Sequence, residues 1–318
     1  MQNGNIFETR GVADSKQNLE GNMTEIAEQK MSELPGKEKY QKISGDMKKM
    51  TAIYEKSFKE DKKTGEKTYL NPEFSKDELI FVYEINNSID GFGYQKDPRI
   101  AEIRKERKSK EDAPVVFGCK PEEVAYGLKE INKNTKAYIG EWNPEVHNKI
   151  PKDIEYLYEK FPETKIFRKS LELTTRTPKQ YTNEIEAQGM KIYEYAQDML
   201  NKMEPLKSRE KIDLVSFSVA QLGYPNGTTL QQIYDKAKEL GLELCPPQVG
   251  PELRLSYKDQ PSNEYLRIAM NSITDRDDNP RIFHVNHGSD GLWLSYSYGI
   301  SDRMWVGNNR FVFASRKN

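Results

Sequence analysis

The chain has 318 residues, 36% hydrophobic and 31% charged, with 49 Lys and Arg against 50 Asp and Glu for a net charge of −1. That length accommodates two ordinary domains, and the balanced charge excludes a global field drawing the chain to nucleic acid or anionic lipid. No apolar run approaches the roughly eighteen residues of a membrane-spanning helix, and no basic start precedes an apolar stretch as in a secretory signal. A cytoplasmic protein is expected, with Cys119 and Cys245 as free thiols in a reducing compartment.

Residues 1 to about 40 are rich in Gln, Asn, Glu, Lys and Gly and bury too little apolar surface to offset the entropy of ordering. A disordered or weakly helical arm over 1–74 is expected. Within it, Met47, Met50, Ile53 and Tyr54 give residues 44–59 a helical period. Ser75 and Glu78 form a capping box ahead of Leu79, Val82, Tyr83 and Ile89, and Asp90–Gly93 reads as a turn. Asp97-Pro98 then opens a helix carrying Arg99, Arg104, Lys105, Arg107, Lys108 and Lys110 against Glu102 and Glu106.

Pro114–Phe117 reads as a short strand, residues 121–131 as a helix, 135–141 as a strand and 153–160 as a helical piece. Residues 165–173 read as a strand, and Thr177-Pro178 opens a helix that breaks near Gly189. Ile192, Tyr195, Ala196, Met199, Leu200 and Met203 then form a core-facing stripe. The charged connector 205–210 marks a boundary, giving an arm (1–74), a central α+β domain (75–208) and a C-terminal α+β module (209–318).

In that module, residues 214–219 read as a strand. Thr229 and Gln232 cap a helix whose buried face is Leu230, Ile233, Tyr234, Ala237 and Leu240, with Gly241 as its left-handed stop. Alternation predicts strands over 253–258, 265–270, 281–287, 292–298 and 310–315. The expected fold class is α+β: a central mixed helix/strand domain, then an antiparallel meander packed on one helix. The outward face of its first hairpin would present Arg254, Lys258, Tyr265 and Arg267. Trp293 and Trp305 lie in the same module, where core packing is the expected use of tryptophan and lining a groove the alternative for one of them.

Several segments resemble an uncharacterised family of bacterial proteins: Ala137-Tyr-Ile-Gly140, Leu242-Glu-Leu-Cys-Pro246, Gly250-Pro-Glu-Leu-Arg-Leu255, Asp259-Gln-Pro261 and Asp290-Gly-Leu-Trp-Leu294. The likeness covers residues 135–318. It implies a bacterial cytoplasmic setting and no known activity.

Catalytic signals are weak. His284 and His287 have odd spacing and face opposite ways in a strand, so they make no metal pair. Cys245 precedes Pro246-Pro247 instead of opening a helix, which is where a thiol is activated. Asp275–Asn279 has the acidity of a calcium loop, but Pro280 stands where its glycine belongs and Asn286 where its glutamate belongs. Neither a metal nor a cofactor is expected.

The reading that follows is a non-catalytic binding protein that takes a protein partner or small ligand through Arg254, Lys258, Tyr265 and Arg267. Its rivals are a hydrolase or nuclease using Cys, His and Asp groups of the C-terminal module, and a nucleic-acid-associated protein. The latter would use Arg99, Arg104, Lys105, Arg107 and Lys108 as phosphate contacts.

Overall fold

The computed structural model describes residues 37–86, 89 and 97–315. Residues 1–36 of the expected arm and the turn expected at Asp90–Gly93 lie outside them. The chain divides into two units, one ending at Val124 and one beginning at Ala125.

In the first unit, helix α1 (Lys37–Ser57) leads into a hairpin of β1 (Phe58–Glu60) and β2 (Lys67–Tyr69). Met50 and Ile53, the apolar positions read from the sequence, are buried against Val82, Ile100 and Ile103. Part of the expected arm is therefore a packed element. Helix α2 (Lys76–Val82) begins at the Ser75/Glu78 capping box, whose reciprocal hydrogen bonds are both present. Asp97 caps α3 (Pro98–Glu106).

The basic helix expected through Lys110 is broken at Arg107, whose backbone is extended. A second helix, α4 (Ser109–Phe117), absorbs Pro114–Phe117, which the sequence reads as a short strand. Ala113, Val116 and Phe117 all bury there, and that i, i+3, i+4 spacing outweighs the β propensity of the two valines. Gly118, at φ 67°, ends the helix in the left-handed region.

Strand β3 (Val124–Ala125) crosses the division. In the second unit, a small sheet pairs β4 (Ala137–Ile139) parallel to β5 (Tyr156–Lys160), and β5 antiparallel to β6 (Thr164–Lys165). Residues 156–160, read as helical, form a strand because Tyr156-Leu-Tyr158 favours a pleated surface. Helix α5 (Pro144–Lys149) follows β4.

The large sheet takes β7 (Arg168–Leu173), β8 (Lys191–Ile192), β9 (Glu210–Ser218), β11 (Leu242–Glu243), β12 (Tyr265–Ile268), β13 (Ile273–Thr274), β14 (Pro280–Gly288), β15 (Gly291–Tyr298) and β17 (Arg310–Ser315). Its main order is β7-β9-β17-β12-β14-β15-β8, with β11 on β17 and β13 on β14. Separately, β10 (Thr228–Thr229) pairs with β16 (Met304–Trp305). Helices α6 (Pro178–Ala187), α7 (Glu194–Lys202), α8 (Leu230–Glu239) and α9 (Val249–Ser256) complete the unit.

The fold is α+β, with two differences from the expectation. The connector 205–210 divides nothing, because β7 before it pairs along β9 after it, from Arg168↔Val215 to Leu173↔Glu210; a charged stretch marks a solvated loop as readily as a boundary. Residues 253–256 are helical as part of α9, where every residue from Val249 to Leu255 is buried. A helix enclosed on all sides has no polar face, so its Leu-Arg-Leu-Ser run imitates strand alternation. The meander is also mixed: β14 and β15 form the expected hairpin, but β12 runs parallel to β17 and β15 parallel to β8.

Candidate binding surface

The residues picked from the sequence scatter. Arg254 is completely buried, at 0% exposure. Its guanidinium donates to Gln260 Oε1 (2.7 Å), to the carbonyls of Asn286 (3.4 Å) and Trp293 (3.5 Å), and to the Tyr257 carbonyl. Burial pulls its pKa down to about 10. It staples the C-terminus of α9 to β14 and β15 and is not a surface contact. Lys258 is exposed in the turn beyond α9. Tyr265 and Arg267 do share a sheet face, where the register sets them against Asn286 and His284. Tyr265 is exposed and Arg267 half-buried.

In the first unit, Arg99 is held by Asp97 (2.6 Å), Arg104 by Glu84 (2.9 Å) and Arg107 by the buried Asp112 (2.5 Å). Lys108 pairs with Glu111 at the surface (3.0 Å), and Lys105 is exposed on the last turn of α3. With the helix broken at Arg107 and its arginines ion-paired, these five residues do not make the continuous basic stripe that phosphate binding requires.

The groups considered for catalysis do not converge. Cys245 is buried, donates weakly to the Val312 carbonyl (3.5 Å), and has its pKa pushed up by desolvation. That is the opposite of an activated thiol. His284 contacts Ser297 Oγ through Nδ1 (2.9 Å), and burial together with the Arg267 charge pulls it down to about 3. His287 contacts the Gln260 carbonyl (2.6 Å). Asp275 is spent on its own turn, accepting from the amides of Asp277 and Asn279 and from Arg281 Nε (2.7 Å). Among the described residues no cluster of His, Cys, Asp and Glu is arranged to hold a metal.

Sequence reasoning passed over the segment after β15. Tyr298 (40% exposed), Ile300 (38%), Met304 (63%) and Val306 (61%) stand at the surface within nine residues of chain. Single exposed apolar residues are ordinary, but several on one loop make it a candidate interaction surface. Cations interleave the aromatic rings beside them. Arg281 lies 4.1 Å from the Tyr298 ring and 4.7 Å from Tyr296. Arg303 lies 4.7 Å from Tyr298 and 5.8 Å from Trp305, and Arg267 lies 4.9 Å from Trp305. The apolar Met304-Trp-Val306 set between turn formers, Ser301-Asp302 and Gly307-Asn308, was the signal available.

The loop is held from below. The first two amides of α8, which have no acceptor inside the helix, donate to its carbonyls: Leu230 N to Arg303 O (3.0 Å) and Gln231 N to Ser301 O (2.9 Å). The third-position amide, Gln232 N, takes Thr229 Oγ1 of the capping box (3.3 Å). Two glycines let the turn before α8 press on the loop backbone. A Cβ on Gly227 would lie 2.5 Å from the Trp305 carbonyl oxygen, and one on Gly307 2.3 Å from that of Pro225. Val306 and Gly307 also border an open cleft of about 510 Å³. The carboxylate in its wall, Glu159, is occupied by Gln221 (2.7 Å) and Arg310 (3.4 Å).

Against family models, curated proteins and solved structures, the chain has no match. The resemblance read over residues 135–318 therefore adds nothing to the geometry.

Proposed function

We propose that residues 125–318 act as a non-catalytic binding module in the cytoplasm, docking a protein partner through the loop Tyr298–Val306. The observation that carries this reading is the loop itself, with four exposed apolar side chains in the nine residues that include the cation-flanked Trp305, on a backbone bonded to α8. Tyr, Trp, Met and Arg are the residues enriched in the centres of protein interfaces. A backbone already in place spares the ordering cost of binding. Two free cysteines support the cytoplasmic part of this reading.

A photo-crosslinking side chain placed at Met304 tests the reading, with one at the exposed Val115 of the first unit as control. In nuclease-treated native lysate, the Met304 probe should give a discrete protein adduct, and the Arg303→Ala change should abolish it. An adduct pattern at Met304 no different from that at Val115 overturns the proposal.

A further inference from the structure

Each described arginine of the second unit except two has an acceptor. Arg176, Arg209, Arg276, Arg281 and Arg310 pair with carboxylates. Arg168 and Arg254 donate to carbonyls. The side chains of Arg267 and Arg303 have neither an ion pair nor a hydrogen bond among the described residues, and both guanidiniums lie within 6 Å of the same indole, Trp305. The orphan donors go further. Arg267 Nε and Trp305 Nε1 are both buried without a partner, and Trp305 as a whole is only 7% exposed. Leaving one such donor unsatisfied is costly, and two around one ring beside a second unpaired cation make a local excess of donors and positive charge.

We infer that this spot receives a carboxylate: the partner docks an acidic segment whose Asp or Glu seats between Arg267 and Arg303 at Trp305, with an apolar neighbour against Met304 and Val306. The inference rests on reading the loop as a docking surface, and charge complementarity selects the occupant. Guanidiniums stacked on aromatic rings keep their edge donors free for a forked bond to a carboxylate. A nucleic-acid strand fits less well. It needs a run of cations, and here Arg303 has Asp302, Met304 and Val306 as its exposed chain neighbours.

The test uses the full chain. A display library of random peptides is selected on the wild-type protein and, in parallel, on Met304→Asp. The leading peptide is then synthesised with its acidic residue intact and as the amide, and affinity is measured by fluorescence anisotropy. Selected peptides should share an Asp or Glu beside an aliphatic or aromatic residue. The amide version should bind about thirtyfold more weakly. Arg303→Ala and Arg267→Gln should each weaken the acidic peptide and leave the amide version unaffected. Lys238→Ala, on the exposed face of α8, should change nothing. Circular dichroism checks folding, and the exposed Arg303 carries the test alone if the Arg267 variant does not fold.

Selected peptides that lack an acid but still need Met304 would overturn the carboxylate while leaving the docking surface standing. No enrichment on wild type over Met304→Asp would overturn both. Displacement of the peptide by a single-stranded oligonucleotide at lower concentration would assign the spot to phosphates. A wild-type dimer that Arg303→Ala converts to monomer would assign it to a second copy of the chain. Either result overturns the inference.

Discussion

The arginines near α3 and those around Trp305 look alike in the sequence and differ in the structure. Arg99, Arg104 and Arg107 each meet a carboxylate in their own unit. Arg267 and Arg303 meet only aromatic faces. The denser cluster of cations is thus the one already neutralised, and the sparser pair keeps its donors. Charge density along a chain measures composition, whereas availability depends on what folding places opposite each cation. Glu84 lies twenty residues before Arg104, so no helical spacing rule pairs them.

Removing an acceptor in the first region breaks the comparison most forcefully. Asp112 is buried, accepts a bidentate pair from Arg107, and takes the Tyr83 hydroxyl at 2.6 Å. Asp112→Ala takes the carboxylate from Arg107 and from the Tyr83 hydroxyl, leaving Arg107 Nη1 its weaker contacts to Tyr69 and the Pro72 carbonyl, and breaking a buried pair in this way costs about 3–5 kcal/mol. Chemical denaturation should show this loss. A change under about 1 kcal/mol would mean that these arginines are as unattached as the pair at Trp305.

Arg254 stands between the two cases, with no carboxylate but with amide and backbone carbonyl acceptors at Nη1 and Nη2. Arg254→Leu keeps an apolar stem and strands those oxygens, for an expected loss of about 2–3 kcal/mol. It should not alter crosslinking at Met304 once folding is matched by temperature.

The fate of Arg254 shows where the sequence was legible. Helix starts were readable because capping is local: Ser75, Asp97, Thr177 and Thr229 each bond an amide within three residues. The β14–β15 hairpin was readable for the same reason, its register closing on Gly288↔Gly291. Residues 249–256 were not, because a helix buried on all sides loses its period, and Leu253 and Leu255 then alternate with Arg254 and Ser256 as a strand would. Of the candidate surface, only Tyr265 and Arg267 were picked out. Tyr298, Arg303 and Trp305 come together through long-range pairing of β16 with β10 and the seating of the loop on α8. No local pattern encodes either contact.

pH offers a milder way to sharpen the contrast, since the second unit also buries an imidazole without a counter-ion. His147 meets the stacked Trp142 and Phe217 rings edge-on, touches Ser315 Oγ through Nε2 (3.1 Å), and leaves Nδ1 without a partner. Burial, and secondarily the Arg168 charge, pull its pKa down to about 4. The unfolded chain, with an ordinary histidine near 6.5, therefore binds the proton first as pH falls. Stability is full above about pH 6.5 and declines toward pH 4 by at most about 1.4 kcal/mol per pH unit. His147→Gln should remove that part of the slope. Identical slopes in the two proteins would place the titrating group elsewhere.

The smallest expected change in stability belongs to the loop, and that is what makes it decisive. Arg303 is exposed and without an acceptor, and Met304 has 63% of its surface in water, so neither side chain has a buried role to lose. Arg303→Ala and Met304→Asp should each leave the unfolding free energy within about 0.5 kcal/mol of wild type. A docking surface answers differently, because truncating a central arginine or placing a charge against an apolar contact costs affinity without touching the fold. Each change should therefore weaken partner crosslinking, monitored from a probe at Val306, while the melting curve stays in place. A large loss of stability in either variant would show that the loop is a structural plug whose arginine supports the core, and the contrast with the paired arginines of the first unit would disappear. Unchanged crosslinking with unchanged stability would leave the contrast standing and move the docking surface away from Trp305.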